Sequence, residues 1–176
     1  MPHIHTKPGE HDFCASAFII RLNEDEPRLL LHKHKKLGIY LQFGGHVELN
    51  ENPWQALRHE LLEESGYELG QLKLLQPPHS VRRLSGIIVH PLPVVLMTHN
   101  FDATHKHTDI EYAFTTTETP RHAISEAESK DVRAFSRAEL EDKAFPIPDN
   151  VREIGLFIFD ICLKYWERVD TSSFEL

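Results

Sequence analysis

The chain has only two cysteines, Cys14 and Cys162, far apart in sequence. A disulfide scaffold is therefore excluded, and a reducing, cytoplasmic setting is expected. Long hydrophobic runs are also missing. The longest are short stretches such as Val94-Val95-Leu96-Met97, far below the ~20 residues a membrane helix needs. No membrane association is expected. The segment Met1-Pro2-His3-Ile4-His5 lacks the basic-then-apolar layout of a leader. Positive charge is in deficit, with 19 Lys and Arg against 27 Asp and Glu and a net charge of −8. That balance argues against a protein that grips DNA or RNA by its phosphates. An anionic substrate is still admissible, because a bound divalent cation reverses the local field. No repeat or low-complexity segment is present.

What is present suits one globular domain spanning residues 1–176, with 40% apolar and 26% charged residues. A chain of 20.4 kDa can bury ~70% of its unfolded surface and needs no structural staple. Strands are expected at Ala15–Leu22 and Arg28–His32, joined by the Asn23-to-Pro27 turn, and at Ile39–Phe43, ended by Gly44-Gly45. Further strands are expected near Gln71–Leu75, Leu84–His90, Val94–Thr98, Asp109–Thr117 and Val132–Phe135. Thr119–Lys130 reads as a loop. Ser136-Arg137-Ala138-Glu139 is a capping box opening a short helix. Val151, Ile154, Phe157, Ile158, Ile161, Cys162 and Tyr165 recur at helical spacing over about 150–167. They form a core-facing stripe or, less simply, a dimer interface. The element order implies an α/β fold, a mixed sheet packed between helices.

The informative segment runs from Gly44 to Tyr67. Asn52 is an N-cap candidate, Pro53 fits the first helical position, and Gly66 is a natural stop. At ~100° per residue, Trp54, Leu57 and Leu61 share one helix face. Glu60, Glu63 and Glu64 fall within roughly 100° beside it. Taken alone, three such acids also suit a solvated face. Held together, each pair at ~6 Å costs about 3 kcal/mol at an effective dielectric near 20. A divalent, oxygen-seeking cation offsets that repulsion, and Mg²⁺ keeps waters for a substrate phosphate. Glu51 precedes the helix and can reach back. The paired glycines let the backbone approach, so a carbonyl there is a further candidate ligand.

This constellation resembles the Nudix box, Gly-x5-Glu-x7-Arg-Glu-U-x-Glu-Glu-x-Gly-U, where U is aliphatic or aromatic. Gly45, Glu51, Glu60, Leu61, Glu63, Glu64, Gly66 and Tyr67 occupy its fixed positions. One position departs from it: His59 stands where the family has arginine, and Arg58 sits one place early, rotated ~100° away. Leu31-His32-Lys33-His34-Lys35-Lys36-Leu37-Gly38-Ile39-Tyr40-Leu41-Gln42-Phe43-Gly44-Gly45-His46-Val47-Glu48 is similar to a bacterial Nudix subgroup, with Phe43 replacing its usual proline. Val89–Pro93 and His105–Asp109 resemble later stretches of the same subgroup. The likeness spans about 12–142.

The resemblance implies a Nudix-type α/β/α sandwich and a Mg²⁺- or Mn²⁺-dependent pyrophosphohydrolase. Its substrate would be a nucleoside diphosphate linked to another group, cleaved by water attack on phosphorus. Glu60 and Glu64 would be the main metal ligands, with Glu63 assisting and the Gly44 carbonyl contributing. Glu60 is one candidate base. Many relatives use a glutamate from a distant loop, where Glu126 and Glu128 stand here. Gly45, Glu51 and His59 would orient the loop, and His46 would meet substrate or fix the loop. Two other readings stand beside this one. A catalytically weak module that binds a nucleotide or protein partner is suggested by His59. A hydrolase of RNA 5′ ends is disfavoured by the acidic charge. Relatives often dimerise, which allows a homodimer.

Thirteen histidines are scattered along the chain. His105, His107, Asp109 and Glu111 alternate, so a strand places them on one face. That face is a substrate-facing patch, a second metal site, or the polar outer face of an edge strand. His3, His5 and His11 read as surface residues. Lys33, Lys35 and Lys36 either meet phosphate or form a solvated run, and Arg82-Arg83 has the same ambiguity. The later proline of many ADP-ribose hydrolases and a Ser-Gln-Pro-Trp-type NADH marker are not found.

Overall fold

The spine of the fold is a parallel pair of long strands. In the computed structural model, β1 (His11–Arg21) runs beside a second strand, Lys106–Thr116, in unbroken register from His11 opposite Lys106 to Arg21 opposite Thr116. The structure describes residues 7, 9–22, 25–103 and 105–174. His3 and His5, and Asn23 and Glu24 of the expected turn, lie outside the described residues.

Along the chain, β2 (Arg28–Lys33) and β3 (Tyr40–Leu41) precede β4 (Phe43–His46), and the helix α1 covers Pro53–Ser65. Next come β5 (Lys73–Gln76), β6 (Val95–Asn100), β7 (Lys106–Thr116) and β8 (Val132–Phe135). The helices α2 (Arg137–Glu141) and α3 (Asp149–Phe157) follow. A wide turn over Ile158–Cys162 leads into α4 (Leu163–Tyr165), and β9 (Glu167–Asp170) closes the order.

The two spine strands change partners halfway. β1 pairs with β4 over Cys14–Ala17 and with β2 over Ile19–Arg21. β7 pairs with β6 over Lys106–Glu111 and with β5 at Phe114 and Thr115. The sheet is therefore mixed, and it forks near Ser16 and Gly44.

Alternation along β1 sorts the two cores. Ala15, Ala17 and Ile19 pack with Trp54, Leu57 and Leu61 of α1. Phe18 and Ile20 pack with Leu140, Val151, Ile154 and Ile158 on the other side. This is the α/β/α sandwich expected from the sequence. Of the C-terminal stripe, Val151, Ile154, Ile158 and Cys162 are buried, whereas Phe157, Ile161 and Tyr165 are exposed.

Several local expectations need correction. Leu84–His90 is not a strand: Gly86 turns the chain at positive φ, and only a single bridge joins Leu84 to Ile87. Strand-forming residues without a neighbouring strand cannot form a ladder. Ile39–Phe43 divides into β3 and β4, and Gly44-Gly45 lies inside β4, opposite Ser16 and Ala15, instead of ending a strand. The last helix stops at Tyr165, and Glu167 onward pairs with β5. β7 is no edge strand, since β1 flanks it on one side and β5 and β6 on the other.

Candidate active site

The helix carrying the acids starts and stops as its sequence dictates. Asn52 Oδ1 accepts the Trp54 and Gln55 N–H groups at 3.0 and 2.9 Å, and Gln55 Oε1 accepts the Asn52 N–H in return. At the other end Gly66 takes φ 73° and donates its N–H to the Leu62 carbonyl. A Cβ on Gly66 would stand 2.1 Å from the His122 carbonyl oxygen, so no larger residue fits unless the loop moves.

Between these ends the acids separate by exposure. Glu60 and Glu64 are 6% and 7% exposed, while Glu63 is exposed. Glu64 Oε2 accepts the Gly44 N–H at 2.7 Å. Gly44 can approach because it has no side chain: a Cβ there would lie 2.4 Å from the Ala15 carbonyl oxygen. Glu60 Oε1 lies 3.3 Å from His59 Nε2 but forms no hydrogen bond. Glu51 Oε1 lies 2.9 Å from His59 Nδ1, and Glu51 Oε2 is buried without a partner. His59 thus spans Glu51 and Glu60, and Arg58 points away to solvent.

Burial governs the protonation of this cluster. Desolvation pushes Glu64 up to about 9, the Gly44 N–H pulls it down, and the charges of Glu60 and Glu128 push it further up. Glu60 is also raised, first by burial; His59 opposes the rise, and Glu63 and Glu128 add to it. Burial lowers His32 to about 4. His32 Nε2 sits 3.8 Å from Glu64 Oε2, so without a cation the two face each other as neutral groups at pH 7.

The loop of residues 117–131 closes over the end of α1. Ser125 donates its N–H to the Glu63 carbonyl at 2.8 Å, and His122 does the same to Gly66 at 3.1 Å. Lys35 reaches the Glu126 and Ala127 carbonyls from the β2–β3 turn. This turns Glu126 outward and leaves Glu128 half-buried, close enough for its charge to act on Glu60 and Glu64. A cleft of about 410 Å³ opens beside this loop, lined by Phe43, Ser65, Tyr67, His122 and Ile124 among others.

His46, His105, His107 and Asp109 lie elsewhere, on the sheet face opposite α1. The sequence reading missed their companions there, Asp12 and Cys14 on β1. The alternation of Asp12, Cys14 and Ser16 was the available signal, but the parallel register that brings them to β7 is not local. His99 on β6 also joins the group, with Nε2 2.8 Å from Asp109 Oδ2. Gln42 Nε2 donates to Glu111 Oε1 at 3.0 Å on this side. Among the described residues no helix is long and apolar enough to cross a membrane.

Comparison with known proteins identifies the family and the fold. The NUDIX domain family matches residues 12–154. A hydrolase of the Nudix family from Clostridium perfringens is 29% identical with TM-score 0.70, covering 85% of this chain and 97% of its own. A Nudix hydrolase from Nitrosomonas europaea is 16% identical with TM-score 0.60, covering 95% and 97%. The Nudix domain of Shewanella oneidensis NrtR, solved with ADP ribose, is 14% identical with TM-score 0.60, covering 82% and 84%. The last two share the fold. Comparison with curated proteins returned no match. With its box residues gathered at α1 and a family match over most of its length, the chain belongs to the Nudix family of hydrolases, which cleave phosphoanhydride bonds.

Proposed function

We propose that this chain is a single-domain, Mg²⁺- or Mn²⁺-dependent pyrophosphohydrolase acting on a nucleoside diphosphate linked to a second group. The observation that carries this is a pair of buried carboxylate oxygens without a hydrogen bond among the described residues, Glu60 Oε1, which His59 only approaches, and Glu51 Oε2, beside the Glu64–Gly44 contact. Buried carboxylate oxygens left short of hydrogen bonds are costly in a resting protein, and a hard dication is the partner such oxygens suit. The donor set therefore fits the ion that Nudix hydrolases generally use.

Glu60 and Glu64 would hold that ion, with Glu63 and the Gly44 carbonyl in support. When bound, the dication neutralises the diphosphate and lowers the pKa of attacking water. His59 acts as a positioning residue, keeping Glu51 against the helix. Glu128 is the favoured general base over Glu126, because it is half-buried and its charge acts on Glu60 and Glu64 from the loop that Ser125 and Lys35 pin down. In the reaction the water oxygen bonds to one phosphorus as the anhydride P–O bond breaks. The leaving phosphate takes the electron pair, and the base takes the water proton. The products would be a nucleoside monophosphate and the phosphorylated second group. The ADP ribose bound to the NrtR Nudix domain belongs to this chemical class.

The test is a panel of nucleoside diphosphate derivatives assayed with Mg²⁺ and with Mn²⁺. Metal-dependent release of a nucleoside monophosphate is expected. Silence across the panel at high Mn²⁺ and alkaline pH would favour the binding-module reading instead.

A further inference from the structure

The sheet face opposite α1 carries a second cluster, and its donors differ in kind from those at α1. β1 contributes Asp12 and Cys14, β4 contributes His46, β7 contributes His107, and His105 stands one residue before β7. Register places them together. Asp12 pairs with His107 across the parallel spine, and Cys14 pairs with His46 across the antiparallel one. Asp12, His46 and His105 are buried.

The donor atoms converge. Asp12, His105 and His107 each present one atom within 4.8 Å of the other two. Asp12 Oδ2 lies 3.1 Å from His105 Nε2 and 3.5 Å from His46 Nε2. His46 Nε2 lies 3.4 Å from His107 Nε2. The other ring nitrogen of His107 faces Cys14 Sγ at 3.6 Å. Phe101 stacks on the His107 ring, with centroids 4.7 Å apart and planes 16° apart, and covers the cluster from the β6 side.

We propose that Asp12, His105 and His107 form a binding site for a zinc-class divalent ion, separate from the carboxylates of α1, with His46 beside it and water completing the shell. Donors held at ~2.0–2.1 Å around a tetrahedral centre stand roughly 3.3–3.4 Å apart. Asp12 Oδ2 and His105 Nε2 stand 3.1 Å apart, and His107 offers a ring nitrogen within 4.8 Å of each, so a small shift of His107 brings the three to that spacing. Two imidazoles and one carboxylate favour zinc over magnesium, whereas the all-oxygen donors at α1 favour the harder ion. The site would tie β1 to the start of β7 just beyond the fork in the sheet. His46, 3.5 Å from Asp12 Oδ2 and 3.4 Å from His107 Nε2, stands two residues after Gly44 and links the site to the strand that carries the Gly44 N–H. Cys14 and the Asp109–His99 pair lie around this centre. Second-layer groups of this kind fix ring orientation at metal-binding histidines.

The experiment is a calorimetric titration of Zn²⁺ alone into full-length protein freed of metal by a chelator, with excess Mg²⁺ present throughout. One equivalent is expected to bind in the submicromolar range. His105→Ala and His107→Ala are each expected to weaken it by at least ~100-fold, because loss of a second-layer partner alone costs about 10–100-fold. Glu60→Gln and Glu64→Gln should leave Zn²⁺ binding unchanged. If the histidine variants do not fold, Co²⁺ added to the wild-type protein provides the readout, with the intense visible bands of tetrahedral cobalt expected. The proposal is overturned by the absence of saturable Zn²⁺ binding and tetrahedral cobalt bands. It is equally overturned if Zn²⁺ binding is lost in the glutamate variants and kept in the histidine variants. Loss of the α1 function would leave the zinc result untouched, so the two readings fail separately.

Discussion

His59 Nδ1 stands 2.9 Å from Glu51 Oε1, and the opposite ring nitrogen faces Glu60 Oε1 at 3.3 Å. One imidazole thus occupies the place where the family has arginine. A neutral imidazole donates one hydrogen bond and turns a lone pair toward the other carboxylate. An arginine offers a fork of donors to both. His59→Ala is therefore expected to lower kcat by about 10-fold or more, in the range set by misplaced catalytic groups. His59→Arg is expected to match or exceed wild type. Steady-state kinetics checks both, and unchanged kcat in the alanine variant would remove His59 from the positioning role.

Glu126 and Glu128 are separated by their surroundings, and kinetics should separate them too. Glu128→Gln is expected to lower turnover by about 10²-fold or more, as loss of a general base does. Glu126→Gln is expected to stay within about 3-fold of wild type, because Glu126 is exposed and, among the described residues, only its backbone carbonyl is engaged, by Lys35. The reverse ranking would assign the base to Glu126.

Glu111 gives a pH-dependent test of stability. It is completely buried, and desolvation, with the charge of Asp109 beside it, raises it from 4.5 to about 8 against the opposing Gln42 hydrogen bond. Between those values the folded chain keeps a proton that the unfolded chain releases. Stability from this group is therefore present below pH 4.5 and is lost as pH rises toward 8, by at most about 1.4 kcal/mol per pH unit. Glu111→Gln keeps a polar group of similar shape without the titration. Its Tm relative to wild type is expected to rise steadily from pH 5 to pH 8. A difference that does not change with pH would contradict the assignment.

Much of this was legible in the sequence, and the line between legible and hidden follows locality. The Asn52 cap, the Gly66 stop and the inward face of Trp54, Leu57 and Leu61 depend on neighbours within a few residues, so the pattern announces them. The distinction between Glu126 and Glu128 depends on Ser125 meeting Glu63 and on Lys35 crossing from another turn, contacts that no local pattern encodes. The joining of Asp12 and Cys14 to His46 and His107 likewise depends on strand register. Leu84–His90 looked like a strand because it is rich in β-formers, but propensity without a partner strand yields only a turn at Gly86.

Gly66 tests how tightly the 117–131 loop is seated on α1. Its φ of 73° and the His122 carbonyl 2.1 Å from a would-be Cβ both oppose a side chain. Gly66→Ala is expected to cost more than about 1 kcal/mol, seen as a lower urea midpoint with unchanged slope. An unaltered midpoint would mean that the loop yields freely.

The most direct measurement is Mn²⁺-dependent turnover of Glu60→Gln and Glu64→Gln beside wild type, on whichever diphosphate derivative the panel shows to be cleaved. Chelation is expected to silence the wild-type enzyme and Mn²⁺ to restore it. Each variant should stay at least ~10²-fold slower at saturating metal. Wild-type rates in either variant, or turnover that survives chelation, would contradict a metal-bearing active site on α1.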